Sequence, residues 1–304
     1  MGMNARPGFI LIACFLILPF LTSCEQTQVA TPTPVTIVIA GATGMRPVLQ
    51  ALTSEFSRLH PSVIFDLRGG GSTIGEQLIA NGEVDLAASV LPATENSETQ
   101  GTPTSQKLFR VPIGIDGLAI VVHKSNPVAN LSLAQLRDLF SGRTVNWKEL
   151  GGSDDDILLV SREDGSGARH LFESRIMGIE SVSLTAVVMP TSADVVDFVG
   201  KNPEAIGYVS RSYVASEIAQ SEIAQTEITQ TETSSFSTAQ KVAVVAVEGR
   251  LPTLAAVRDG SYLLSTPIFL VGQGELAGWN RQFVEFILGP VGQQIVEQYH
   301  ARIR

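Results

Sequence analysis

The strongest constraint on the fold is an alternation of short apolar, β-branched runs with stretches of helical periodicity, joined by glycine-rich loops. Val35 to Ala40 is a nearly continuous apolar run, the pattern of a strand covered on both faces. Gly41-Ala42-Thr43-Gly44 follows, and apolar residues then recur at helical spacing through Val48, Leu49, Leu52, Phe56 and Leu59. The unit repeats: a strand at Val63 to Leu67, a loop at Gly69-Gly70-Gly71-Ser72-Thr73, and a helix carrying Ile74, Leu78 and Ile79. Further strands are expected at Val84 to Val90, Leu118 to Val122, Ile157 to Val160, Ala205 to Val209 and Ile268 to Val271. Between them lie a helix with Leu133, Leu136, Leu139 and Phe140, capped by Ser132, and one with Leu171, Phe172 and Ile176. A last amphipathic helix carries Phe283, Phe286 and Ile287, and resumes with Ile295 and Val296 after a Gly289-Pro290 break. Strands alternating with helices imply an α/β fold with mainly parallel sheets.

Length and charge narrow the function classes. The 304 residues suggest two domains or lobes. A formal net charge of −9 argues against a nucleic-acid binder working through a basic surface. Two cysteines exclude a disulfide scaffold and a four-thiolate zinc site. The four histidines, His60, His123, His170 and His300, lack paired metal spacing, so no metal and no cofactor is expected.

The amino-terminal segment reads as an export signal. Arg6 precedes an apolar run from Phe9 to Leu21, the length of a signal-peptide core and short for a membrane span. Leu21-Thr22-Ser23-Cys24 resembles the bacterial lipoprotein signal, which implies removal of residues 1–23 and lipidation of Cys24. Cys14 is then discarded, and residues 24–34, rich in Thr, Gln and Pro, form a tether. Residues 216–235 repeat a Ser-Glu-Ile-Ala-Gln pentad. Period five matches neither helix nor strand, so an exposed low-complexity insertion, mobile or a frayed helix, is expected there.

The chemistry concentrates in three loops. Gly41-Ala42-Thr43-Gly44, Gly70-Gly71-Ser72-Thr73 and Gly165-Ser166-Gly167-Ala168 each follow a strand and open a helix. Helix starts expose unpaired N–H groups and partial positive charge, which suit an anion. Thr43, Gly44, Gly71, Ser72, Thr73, Ser166, Gly167 and Ala168 are therefore candidate ligand-binding residues. Arg162, at the end of the strand before the third loop, could clamp an oxyanion with two parallel hydrogen bonds. Asp164 could hold that guanidinium, or accept a proton from a protonated ligand. No loop supplies the Gly-Lys-Ser/Thr of a nucleotide P-loop. Asp164 and Ala168 occupy the glycine positions of a hydrolase Gly-x-Ser-x-Gly elbow.

These residues, in this order, resemble the periplasmic phosphate-binding lipoproteins of ABC transporters, within the type 2 solute-binding fold. The resemblance spans about residues 35–300. It also rests on Asp116-Gly117-Leu118-Ala119-Ile120-Val121-Val122, on Leu133 to Leu150 with Asn146-Trp147, on Arg162-Glu163-Asp164-Gly165-Ser166-Gly167, on Ala205-Ile206-Gly207-Tyr208-Val209-Ser210, and on Gly289-Pro290-Val291-Gly292-Gln293. It implies two α/β lobes joined by two crossing strands near Arg110–Gly114 and Tyr262–Thr266, with the anion buried between them. Lobe one is then 35–112 plus 264–304, and lobe two 113–263, with the pentad repeat away from the cleft. Family ligand positions fall on Thr43, Ser72, Arg162, Asp164, Ser166 and Gly167. Two residues depart from the pattern. Ala168 replaces a threonine hydroxyl, and Val90 stands where members carry an aspartate or an arginine.

The implied function is capture of inorganic phosphate and its delivery to an ABC permease by a monomer held on the outer face of the cytoplasmic membrane through Cys24, without enzymatic chemistry. Readings that remain beside it are a receptor for a sulfate-like oxyanion, a same-fold surface sensor or adhesion lipoprotein, and a secreted hydrolase using Ser166 with His170.

Overall fold

The computed structural model describes residues 1–2, 33–92, 108–226 and 241–303. Cys24, the signal segment and all but the last residues of the tether lie outside them. The chain divides into Met1–Thr33 and Pro34–Arg304, and every element named below belongs to the second unit.

The first half builds the expected repeats. Strand β1 (Val35–Gly41) leads through a short turn into α1 (Arg46–Leu59); β2 (Val63–Gly70) leads directly into α2 (Gly71–Ala80); β3 (Leu86–Ser89) follows. Parallel pairing joins β1 to β2 and β1 to β3. Strand β4 (Leu108–His123) is much longer than the expected run, because the polar residues Arg110, Asp116 and Gly117 do not interrupt it. Then come β5 (Asn130–Leu131), α3 (Leu133–Phe140), β6 (Leu158–Arg162), α4 (Gly167–Phe172), β7 (Val187–Met189), α5 (Ser192–Val199) and β8 (Ala205–Ser210). The chain closes with α6 (Ala215–Thr226), β9 (Val242–Val247), α7 (Leu254–Arg258), β10 (Ser265–Gln273), α8 (Gly278–Leu288) and α9 (Pro290–Val296). Ser132 caps α3 in a reciprocal capping box with Gln135. Gly289 separates α8 from α9.

The strands run in the order β2-β1-β3-β10-β4-β8-β6-β7, with β9 and β5 beyond β4. Pairing is parallel within β2-β1-β3 and within β8-β6-β7. Antiparallel pairing is confined to ladders made by β10 or β4, where Val271 faces Arg110, Ile268 faces Gly114 and Ser265 faces Gly117. Separate apolar cores meet β4 at different points along its length, one through Ile113 and one through Leu118. One gathers Ile37, Phe56, Ile113, Leu270 and Phe283, and the other gathers Leu118, Trp147, Phe172, Tyr208 and Leu264. This is the α/β fold expected from the alternation, in the type 2 periplasmic-binding arrangement that the resemblance implies.

Two features go beyond the sequence reading. Residues 216–226 of the pentad repeat are helical, one of the two forms expected, but the first pentad is not wholly exposed. Ile218, in the first pentad, is buried against Val214, Val209 and Val242, so one docked isoleucine anchors a turn that periodicity alone does not support. The rest of the repeat lies outside the described residues. Strands β7 and β9 were not anticipated. The first is only three residues long, and the second is an apolar run set directly after low-complexity sequence.

The second core yields a pH prediction. Tyr208 is fully buried, stacks on Phe172 at 4.2 Å between ring centroids, and shares a 2.8 Å hydrogen bond with Ser161. Burial pushes its hydroxyl from 10.0 up to about 12. The unfolded chain therefore ionises this tyrosine first. Its contribution is complete below pH 10 and is lost as the pH rises towards 12, by roughly 3 kcal/mol across that window. Urea unfolding of Tyr208→Phe should show a flatter fall in stability above pH 10 than the parent chain, and an identical fall would contradict it.

Candidate functional site

The topology brings the carboxyl ends of β1, β3, β6 and β8 to one place. In open α/β sheets this is where ligands bind. A cavity of about 20 Å³ lies there, lined among others by Thr43, Gly44, Gly71, Val90, Asp116, Arg162, Ser166, Gly167, Ala168, Ser210 and Thr266. That space suits a compact ion and is too small for a nucleotide or a sugar.

Arg162 is the central charge, at 2% exposure. A cation so deeply buried needs partners on every side. Glu163 takes two of its hydrogen bonds, from Nε at 2.9 Å and Nη2 at 2.8 Å. Nε also donates to the Met189 carbonyl at 3.1 Å, and Nη2 to the Pro190 carbonyl at 3.3 Å. Nη1 donates to Ser192 Oγ at 3.1 Å, and Nη2 reaches Thr43 Oγ1 at 3.1 Å. Nη1 has two hydrogens and makes one hydrogen bond, so its second has no partner among the described residues. The guanidinium is thus anchored on β7, α5 and Glu163, and touches the loop after β1.

The loop after β1 is fixed from the other side too. Tyr213 donates its hydroxyl to the Thr43 carbonyl at 2.9 Å, and Ser212 donates to the Gly44 carbonyl at 2.8 Å. Burial raises the Tyr213 pKa, which keeps the phenol a proton donor. Ser166 caps α4, accepting from Arg169 N at 3.4 Å, so the helix start at Gly167 and Ala168 borders the cavity. The first N–H groups of that helix have no intrahelical acceptor.

Close approach explains two glycines. Gly71 has φ +82°, and a Cβ there would lie 2.6 Å from the Gly165 carbonyl oxygen. A Cβ on Gly167 would lie 2.1 Å from Val90 Cγ2 and 2.5 Å from Ser72 Oγ. The loop after β6 and the residues around β2, β3 and α2 therefore meet almost backbone to backbone.

Of the ten ligand candidates from sequence, Thr43, Gly44, Gly71, Arg162, Ser166, Gly167 and Ala168 border this cavity. Ser72 sits directly behind Gly167, fully buried, with its Oγ accepting from Val90 N at 3.2 Å. Thr73 and Asp164 go elsewhere. Thr73 spends its N–H on the Gly165 carbonyl at 3.2 Å. Both residues line a neighbouring, larger cavity of about 360 Å³ with Glu76, Arg110, Arg169, His170 and Glu173. Asp164 does not hold Arg162: its carboxylate is 94% exposed and pairs with Arg169 at 2.6 Å. Glu163, the adjacent acid, does that work, its two carboxylate oxygens accepting from Nε and Nη2 of Arg162. The Ser166–His170 pair is not assembled either. His170 is exposed, and no hydrogen bond links its ring to Ser166 Oγ among the described residues.

Sequence reasoning missed Glu163, Ser192, Ser210, Thr266 and the part played by Asp116. Asp116 carried a usable signal, as a carboxylate inside the otherwise apolar stretch from Ile113 to Val122. Ser192 and Thr266 carried none, since only tertiary packing brings them near β6.

The chain is similar to known phosphate-binding proteins. The Phosphate-binding protein PstS of Bacillus subtilis is 26% identical over 252 residues, covering 83% of this chain and 74% of that protein. A protein from Clostridium perfringens, solved with bound phosphate, is 30% identical with a TM-score of 0.75, covering 89% of this chain and all of the other. An ABC-type phosphate transport receptor from Vibrio cholerae is 27% identical with a TM-score of 0.62, covering 88% and 100%. The family model of the PBP superfamily domain matches residues 27–291, so the chain belongs to the PBP superfamily.

Proposed function

We propose that this protein is an extracytoplasmic receptor that captures inorganic phosphate between two lobes and delivers it to an ABC permease. The observation that carries this reading is the convergence of strand-end loops and one buried arginine on a cavity of ion size. Its kinship with phosphate-binding transport proteins supports the choice of anion and of transport over enzymatic chemistry. Binding needs no covalent step. Arg162, the Thr43 and Ser166 hydroxyls and the N–H groups opening α4 replace the ion's hydration shell. Closure of the lobes removes the water that would otherwise weaken these interactions.

The same reading divides the chain into lobe one, 35–112 plus 264–304, and lobe two, 113–263. The separate cores met by β4 at Ile113 and at Leu118 support that division. It places a lipid anchor on Cys24, and among the described residues no helix is long and apolar enough to cross a membrane.

Titration calorimetry with inorganic phosphate tests the receptor directly. One phosphate should bind per chain, with affinity insensitive to divalent cations. No measurable heat and no thermal stabilisation at millimolar phosphate would overturn the proposal.

A further inference from the structure

We propose that the turn Arg211–Tyr213 is a clasp between the lobes that sets how long the anion stays bound. Ser212 and Tyr213 act in it as positioning residues. They hold the Thr43–Gly44 loop from across the cleft, and neither side chain lines the cavity. The inference rests on the two-lobed receptor reading above, which puts this turn in lobe two and its targets in lobe one.

The turn joins β8 to α6. Each of its three residues donates to a backbone carbonyl of lobe one. Ser212 Oγ reaches the Gly44 carbonyl at 2.8 Å, and Tyr213 Oη reaches the Thr43 carbonyl at 2.9 Å. Arg211, 3% exposed, donates from Nη1 to the Tyr299 carbonyl and from Nε, at 2.9 Å, to the Pro252 carbonyl of its own lobe. Gly44 permits the approach, since a Cβ there would lie 3.0 Å from Ser210 Cβ. Both flanks of the turn are fixed. Ser210, just before it, is in register with Leu118 of β4. Val214 and Ile218, just after it, are buried in an apolar core whose buried members all lie between Ala119 and Leu251. The docked first pentad therefore backs the clasp.

Counting protons separates the clasp from the donors that serve the ligand. A carbonyl only accepts, so Ser212 spends its one proton on Gly44. In its 2.9 Å bond with Ser210, Ser212 is then the acceptor and Ser210 the donor. Ser210 lines the cavity, yet its proton is committed to the clasp and not to an anion. Tyr213 likewise commits its only proton to Thr43.

These bonds count only while the lobes are together. On opening, the hydroxyls and carbonyls pass to water, so each bond favours the closed form by its net worth, a factor of ~3–10. A bound ion leaves by opening, whereas an arriving ion meets the open form. The clasp therefore acts on dissociation and spares association.

The test uses the full chain and inorganic phosphate. Bound radiolabelled phosphate is chased with excess unlabelled phosphate to give the dissociation rate. Calorimetry gives Kd, and the ratio of the two gives the association rate. Tyr213→Phe and Ser212→Ala should each release phosphate ~3–10-fold faster. Their association rates should stay within about twofold of the parent's. Their ligand-free melting temperatures should stay within ~2 °C of it, because the bonds belong to the closed form. Release at the parent rate in both variants overturns the clasp and leaves the receptor reading standing. So does a loss of affinity carried by the association rate alone. A parent chain that retains no phosphate overturns the receptor reading itself.

Discussion

Replacing Arg162 by alanine is expected to lower phosphate affinity by ~10²–10³-fold, the cost of deleting one partner from a buried, hydrogen-bonded charge pair. The guanidinium is the one cation lining the small cavity among the described residues. The acidic surface of the protein, net −9 overall, cannot substitute for it. The substitution also leaves Glu163, Ser192 and two backbone carbonyls without their donor. Some loss of stability is therefore expected with the loss of binding. Thermal unfolding without ligand separates the two effects. Arg162→Lys keeps the charge but loses the planar fork, so it should recover stability more fully than affinity. Titrations in which Arg162→Ala binds phosphate as the parent does would remove this arginine from the site.

The second large effect is expected from the smallest possible addition, Gly167→Ala. The new methyl would sit 2.1 Å from Val90 Cγ2 and 2.5 Å from Ser72 Oγ, groups that the lobe division assigns to the opposite side of the cleft. Valine is stiff about its first torsion, and Ser72 is fully buried, so neither yields cheaply. Overpacking of this kind costs ~1–3 kcal/mol, and here it falls on the closed form, lowering affinity by ~10–100-fold. The unliganded protein should melt within a few degrees of the parent, because each lobe keeps its own core. Val90→Ala in the same chain should recover part of the affinity by removing the opposing methyl, the approach to Ser72 Oγ remaining. A Gly167→Ala protein that binds phosphate as the parent does would contradict the prediction.

Much of this architecture is legible in the residues before any coordinates. The run at Val35 to Ala40 has the pattern of a buried strand and Val63 to Leu67 that of a second strand, which the sheet places at its edge with Ile64 exposed, and the helical spacing after each glycine loop points to βα repeats. The Ser132 cap and the Gly289-Pro290 break were readable because each acts through backbone groups a few residues away. Local signals failed where burial overrode them. Strand β4 runs through Asp116 and Arg110 because tertiary partners bond them, His300 to Asp116 and Glu76 to Arg110. The first pentad became helix because Ile218 found a core.

The sequence by itself determined the α/β alternation, the three strand-to-helix loops and the arginine beside the third, since strand burial, helix starts and charge type are short-range properties. Tertiary structure alone decided which groups share the cavity. It turned Asp164 outward and Glu163 onto Arg162, moved Thr73 to a neighbouring cleft, and brought Asp116, Thr266 and Ser210 in from distant segments. The physical reason is that a buried charge must be satisfied from all directions, and most of those directions are filled by parts of the chain far away in sequence.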